Sequence, residues 1–158
     1  IDSCKSFANI YFVPGLQSQS VDVLVSTDVL EHVTDPVALL VEMVDAVRLG
    51  GYLFIANCFY PVIACHLPST FHLRHSFDAF CRELGLSCLG PCEGSHATIY
   101  RRDTLVQPQW SRLRAMELKS KSSFILTKWW KIYASPLSNR IALVASNPLH
   151  YVFCCLLF

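Results

Sequence analysis

Two compact apolar runs joined by an amphipathic segment constrain this chain more than any other feature of its sequence. Residues 21–26 read VDVLVS, a short β-branched and aliphatic run after the polar stretch 17–20, which predicts a strand buried on both faces. After Thr34-Asp35-Pro36, apolar residues recur at Val37, Leu40, Val41, Val44 and Val47, with Glu42, Asp45 and Arg48 on the opposite row. That spacing predicts a helix, capped by Asp35, opened by Pro36 and stopped by Gly50-Gly51. Residues 52–56, YLFIA, then form a second apolar strand. A crossover of this length joins parallel neighbours by a right-handed connection, which places the chain in the α/β class.

The rest of the first hundred residues extends this unit. Residues 57–74 carry Pro61, Pro68, histidines and aromatics without a sustained period, and are expected to form a long loop over the top of the sheet, where function often resides. Ser76 is expected to cap a helix over 77–84, with Phe77, Phe80, Cys81 and Leu84 on one face and Gly85 as its left-handed cap. Residues 86–89 and 97–100 read as an antiparallel hairpin around the turn chemistry of Gly90-Pro91-Cys92-Glu93-Gly94-Ser95.

The chain has 158 residues, enough for one ordinary core, and its 53% hydrophobic and 16% charged composition excludes intrinsic disorder, collagen-like sequence and a highly charged coiled coil. The net charge of +1 conceals an asymmetry: residues 1–103 carry 11 acids and 6 Lys or Arg, whereas 104–158 carry 1 acid and 7 bases. An acidic compact part is therefore followed by a basic, aromatic tail. Within the tail, 120–133 reads as a basic helix with an aromatic side. Residues 141–158 hold no Asp, Glu, Lys or Arg over 18 positions, at the lower limit for a membrane span, but Asn147, Pro148 and His150 argue against one. Eight cysteines at irregular spacings, with no CxxC and no secretory leader, read as reduced thiols in a cytoplasmic setting. Cys88, Cys92 and His96 are too loosely spaced to be assigned a metal. The chain opens on Ile1 rather than Met, and is expected to be part of a longer product.

The stretch from Asp22 to Val33, reading DVLVSTDVLEHV, followed by Asp35-Pro36 and by Gly50-Gly51-Tyr-Leu-Phe-Ile, resembles the class I S-adenosylmethionine-dependent methyltransferases. HLRHSF-DAF-x-x-ELGL and GSHATIYRR continue the likeness, which covers about residues 8–103. It implies a Rossmann-like methyltransferase sheet in which the fourth to seventh strands are present and the glycine-loop half is missing. The family's glycine-rich cofactor turn has no counterpart here. Only Asp2 stands near the place of the ribose-binding acid, and the family's adenine-side acidic position falls around Gly15-Leu16, which is apolar here. The expected domains are accordingly 1–103, a partial methyltransferase domain, and 104–158, the tail.

In an open parallel sheet the ligand crevice lies beyond the carboxyl ends of the strands, where Ser26 and Thr27 leave theirs. The resemblance assigns Ser26, Thr27, Asp28 and Val29 to the cofactor, S-adenosylmethionine. Asp28, Glu31 and His32 match an acidic, acidic, histidine trio that related quinone-pathway O-methyltransferases associate with a divalent metal. The plainer reading is preferred: Asp28 and Glu31 face solvent or the helix amino end, His32 bonds to backbone, and no metal is assigned. His66, His72 and His75 lie in the loop where acceptors bind in this fold, and a histidine there could take the proton from an acceptor hydroxyl. His32 and His75 are the catalytic candidates, while Phe59, Tyr60 and Phe71 read as lid or core.

The sequence thus points to methyl transfer from S-adenosylmethionine to a small molecule, with O-methylation favoured, as part of a longer protein. The acidic core argues against a nucleic-acid substrate. The alternative is an inactive remnant that acts by interaction, with the basic aromatic tail at an acidic membrane surface.

Overall fold

The computed structural model describes residues 15–129, in two compact units that divide after Trp110. The first unit contains β1 (Val21–Thr27), α1 (Pro36–Ala46), β2 (Val47–Ala56), α2 (Phe77–Glu83), β3 (Leu86–Pro91) and β4 (Thr98–Arg102), with 3₁₀ segments at Leu30–His32 and Pro68–His75. The second is represented by α3 (Trp110–Trp129), apart from its first residue. The uncharged segment 141–158 and the last part of the predicted 120–133 helix lie outside the described residues. Among the described residues no helix is long and apolar enough to cross a membrane.

The sheet order is β1-β2-β4-β3. β1 and β2 pair in parallel, from Val23 opposite Tyr52 to Thr27 opposite Ala56, as the strand–helix–strand reading requires. β4 runs antiparallel to β2 and pairs with β3 as a hairpin, so the hairpin continues the sheet next to β2. The result is a mixed α/β fold compatible with part of a Rossmann-like sheet.

Register explains where the core sits. Leu24 and Ser26 stand opposite Leu53 and Ile55, and these four positions share a face with Tyr100 and Arg102 of β4. Leu53 and Ile55 are buried there, as are Leu40, Val44 and Ala46 of α1 and Phe80 and Cys81 of α2. The opposite face carries Val23, Val25 and Tyr52, which are 49%, 67% and 38% exposed. The expectation that β1 is buried on both faces is therefore corrected: among the described residues it is the edge strand, and one of its faces is exposed.

Two local boundaries also differ from expectation. α1 ends at Ala46, because Val47 turns to extended backbone (φ −81°, ψ 130°) and enters β2. Gly50-Gly51 thus lies inside the strand, at an irregularity in its pairing with β1 between Val21 and Val23. A Cβ on Gly51 would stand 2.6 Å from the Asp22 carbonyl oxygen and 2.6 Å from Val47 Cγ1, so this glycine permits the close approach of β1. Ser76 precedes α2 but makes no side-chain cap bond; its hydroxyl instead donates weakly back to the His72 carbonyl at 3.4 Å. Gly85 does close that helix at φ +85°, packed so near Thr104 that no side chain fits.

Arg102 ties α1 to the sheet. Its buried guanidinium donates from Nη1 to the Asp45 carbonyl at 3.0 Å and to the Val47 carbonyl, across the turn where helix becomes strand. Burial pulls its pKa below the usual arginine value, with Asp45 acting in the opposite direction. Tyr100 anchors α2 by donating its hydroxyl to Asp78 Oδ1, and burial pushes its phenol above the ordinary tyrosine range.

In α3, Glu117 accepts from Lys121 Nζ at 2.7 Å and Arg114 Nη1 at 2.8 Å, the i,i+4 and i,i+3 spacings that helices favour. Burial alone would raise this carboxyl, but the two charge-assisted bonds outweigh it and hold the pKa below its ordinary 4.5. A depressed carboxylate stabilises the folded state above its unfolded pKa and loses that contribution as pH falls through the folded value. Helical circular dichroism should therefore weaken below about pH 4.5 in the parent chain. Glu117→Gln, which costs about 0.5–1 kcal/mol, should lack that acid transition.

Gly51→Ala is expected to force β1 from β2 and lower the unfolding free energy by about 2 kcal/mol. Urea denaturation measures this, and an unchanged midpoint would show that the pairing yields without strain.

Candidate functional site

The parallel pair brings two strand exits level. Thr27 ends β1 opposite Ala56, and the Asp28 amide donates to the Ala56 carbonyl at 2.9 Å, extending the ladder by one rung. Asp28 sits at φ +52°, a left-handed conformation uncommon for a residue with a side chain and tolerated best by Asn and Asp. The chain then turns into the 3₁₀ segment Leu30–His32, whose apolar anchor Leu30 is fully buried.

Glu31 is also fully buried, which corrects the expectation that it faces solvent. Its Oε1 accepts from the Cys58 amide at 2.7 Å, just beyond β2, and its backbone carbonyl accepts from the Leu67 amide at 2.9 Å. One residue thus fastens the β1 exit to both ends of the loop that follows β2. Its second oxygen, Oε2, is buried without a hydrogen-bond partner.

Two histidines flank this carboxylate. His32 bonds through Nδ1 to the Cys65 carbonyl at 3.1 Å, the backbone partnership expected of it. His66 bonds through Nδ1 to the Tyr60 carbonyl at 2.7 Å. Their rings meet edge-on with centroids 4.9 Å apart. Asp28 does not join them: it is half exposed and faces His96 Nε2 at 4.0 Å. The acidic, acidic, histidine grouping suggested by sequence is thus replaced by Glu31, His32 and His66.

Two cavities open at this end of the sheet. The larger, about 570 Å³, is lined by Asp28, His32, Asn57, Val62, Ile63 and His66 among others. The smaller, about 230 Å³, is lined by Arg74, His75, Phe77, Asp78, Thr98 and Tyr100 among others. Asn57, Tyr60 and His96 border both. The loop read as irregular includes the 3₁₀ segment Pro68–His75, which points His75 to the smaller cavity and buries His72. His32 and His75, paired as catalytic candidates, therefore serve different cavities. Arg74 stacks over Tyr60 with its guanidinium carbon 4.4 Å from the ring centroid, forming a cationic lip. Phe59 is core, packed against Phe77 at 5.6 Å.

Of the four residues assigned to the cofactor, Asp28 borders the larger cavity, Thr27 and Val29 are exposed beside it, and Ser26 is buried with its hydroxyl unpartnered. Sequence reasoning singled out His66 only as a loop residue. More than thirty positions separate it from His32, and no local period links them. Cys88, Cys92 and His96 form no donor cluster among the described residues.

A mixed sheet whose parallel strands end at a crevice of this kind is compatible with part of a Rossmann-like fold. Residues 7–55 match the family of methyltransferase domains, consistent with a class I S-adenosylmethionine-dependent methyltransferase domain. The matched segment includes β1, α1 and nearly all of β2, and spans less than a third of the chain. No curated protein and no solved structure matches the chain.

Glu31→Ala strands the Cys58 amide and should lower the unfolding free energy by about 2 kcal/mol. Glu31→Gln keeps an acceptor oxygen and should lose much less. Equal losses in urea denaturation would show that the amide bond is not what Glu31 contributes.

Proposed function

We propose that the chain serves methyl transfer from S-adenosylmethionine to a small-molecule acceptor, with an acceptor hydroxyl favoured. The observation that supports this most is that the segment matching the methyltransferase family delivers its two parallel strands to the rim of one cavity. The polar groups there suit the cofactor. Asp28 offers an exposed carboxylate to a cationic ligand, and Asn57 Oδ1 is buried without a partner.

S-adenosylmethionine supplies a methyl carbon made electrophilic by its sulfonium. Asp28 and the neighbouring backbone of Thr27 and Val29 hold the cofactor side of the crevice, and the smaller cavity receives the acceptor. Methyl transfer is an in-line displacement, so alignment contributes most of the acceleration and the base has a lesser part. His75 stands in the acceptor cavity to take the hydroxyl proton, and Arg74 over Tyr60 orients a polar acceptor from the lip. Acidic residues dominate the part of the sequence that builds this site, which disfavours a polyanionic acceptor. The five free thiols among the described residues support a reducing compartment, and the cytoplasm is the setting proposed.

Nuclear magnetic resonance with S-adenosylhomocysteine tests the cofactor assignment. Amides of residues 26–29 and 56–58 should shift together, with a dissociation constant weaker than about 0.1 mM, roughly −5.5 kcal/mol, because no glycine-rich turn in this sequence wraps the methionine part. Shifts confined to other residues, or none at millimolar ligand, would reject the site.

A further inference from the structure

We infer that Glu31, His32 and His66 form a binding site for a divalent transition-metal ion with an open coordination position facing the larger cavity. One donor atom from each of the three residues lies within 4.8 Å of the others. Nitrogen and oxygen ligands about 2.0–2.1 Å from a tetrahedral metal stand about 3.3 Å apart. The side chains thus need to close by no more than about 1.5 Å, within reach of small torsional adjustments.

The hydrogen bonds prepare these donors. A carbonyl oxygen only accepts, so the bonds from His32 to Cys65 and from His66 to Tyr60 place the ring proton of each neutral imidazole on Nδ1. Each Nε2 is left with its lone pair free for a cation. A backbone carbonyl on the far nitrogen is the usual means by which a metal-binding histidine is oriented and made more basic. Glu31 is prepared in the same way: the Cys58 amide fixes Oε1, while Oε2 remains buried and unpartnered. A fully buried carboxylate oxygen without a donor is costly, and a bound cation removes that cost.

The donor set selects the ion. Two imidazoles and one carboxylate suit zinc or ferrous iron and their neighbours, whereas calcium and magnesium prefer oxygen alone. Three protein ligands leave a position for water or another oxygen ligand, as in catalytic rather than closed structural sites. His32 and His66 both line the larger cavity, so that position is reached from there. The site rests on its own geometry and stands whether or not methyl transfer is the reaction.

Cobalt(II) titration of the whole chain, purified with chelator and then freed of it, tests the inference. One equivalent should bind with micromolar affinity and give visible d–d absorption without the intense near-ultraviolet band of a thiolate ligand. His66→Ala and His32→Ala should each weaken binding at least tenfold, with circular dichroism confirming the fold. In the unaltered chain, zinc should shift the ring Nε2 resonances of His32 and His66 and of no other histidine, which settles the ligands even if a variant fails to fold. Absence of cobalt binding at millimolar metal, a thiolate band, undiminished binding by a folded His66→Ala chain, or zinc shifts at other histidines would each overturn the assignment.

Discussion

The parallel pairing of β1 with β2 is the constraint on which the rest depends. It levels Thr27 with Ala56, so the backbone leaves both strands at the same height and the following loops must share one crevice. Glu31 then secures what the ladder alone leaves loose, reaching the Cys58 amide with a side-chain oxygen and the Leu67 amide with its carbonyl. One buried residue thereby holds both ends of a ten-residue excursion, from Cys58 to Leu67. The positions of Tyr60, Cys65 and His66 follow from that clasp.

Arg102 plays the matching part at the opposite end of the sheet. α1 has to stop abruptly so that Val47 can pair with Val21, which leaves helix carbonyls without intrahelical partners. The guanidinium arriving from β4 supplies donors to Asp45 and Val47 at this turn. A residue of β4 thereby joins the Gln19 and Ser20 amides in satisfying carbonyls at the end of α1, and so ties the hairpin to the crossover.

The crossover and hairpin were legible in the sequence because their signals are local: β-branched runs, helical spacing with Asp35-Pro36 at its start, and glycine at Gly85. The early end of α1 was hidden because Val47 satisfies helical and strand periods equally, and only pairing with Val21 decides between them. One-sided burial of β1 was hidden for a related reason, since a run such as VDVLVS describes a strand's composition and not how many neighbours cover it. At the site, Asp28 and His32 could be read from a motif. His66 could not, because its meeting with His32 is produced by β2 and by the clasp at Glu31, and neither leaves a spacing rule in the chain.

The uncovered face of β1 affects the molecule's collective behaviour. Val23, Val25 and Tyr52 lie open on β1 and β2, and among the described residues β1 is the edge strand of the sheet, the kind of position from which another strand can be templated. The exposed ion pair between Asp22 and Arg48 puts charge along the same border, where burial in a neighbour would strip it of water. At this border apolar area and hydration pull in opposite directions, and ionic strength weakens the charged side of that balance without altering a single internal contact.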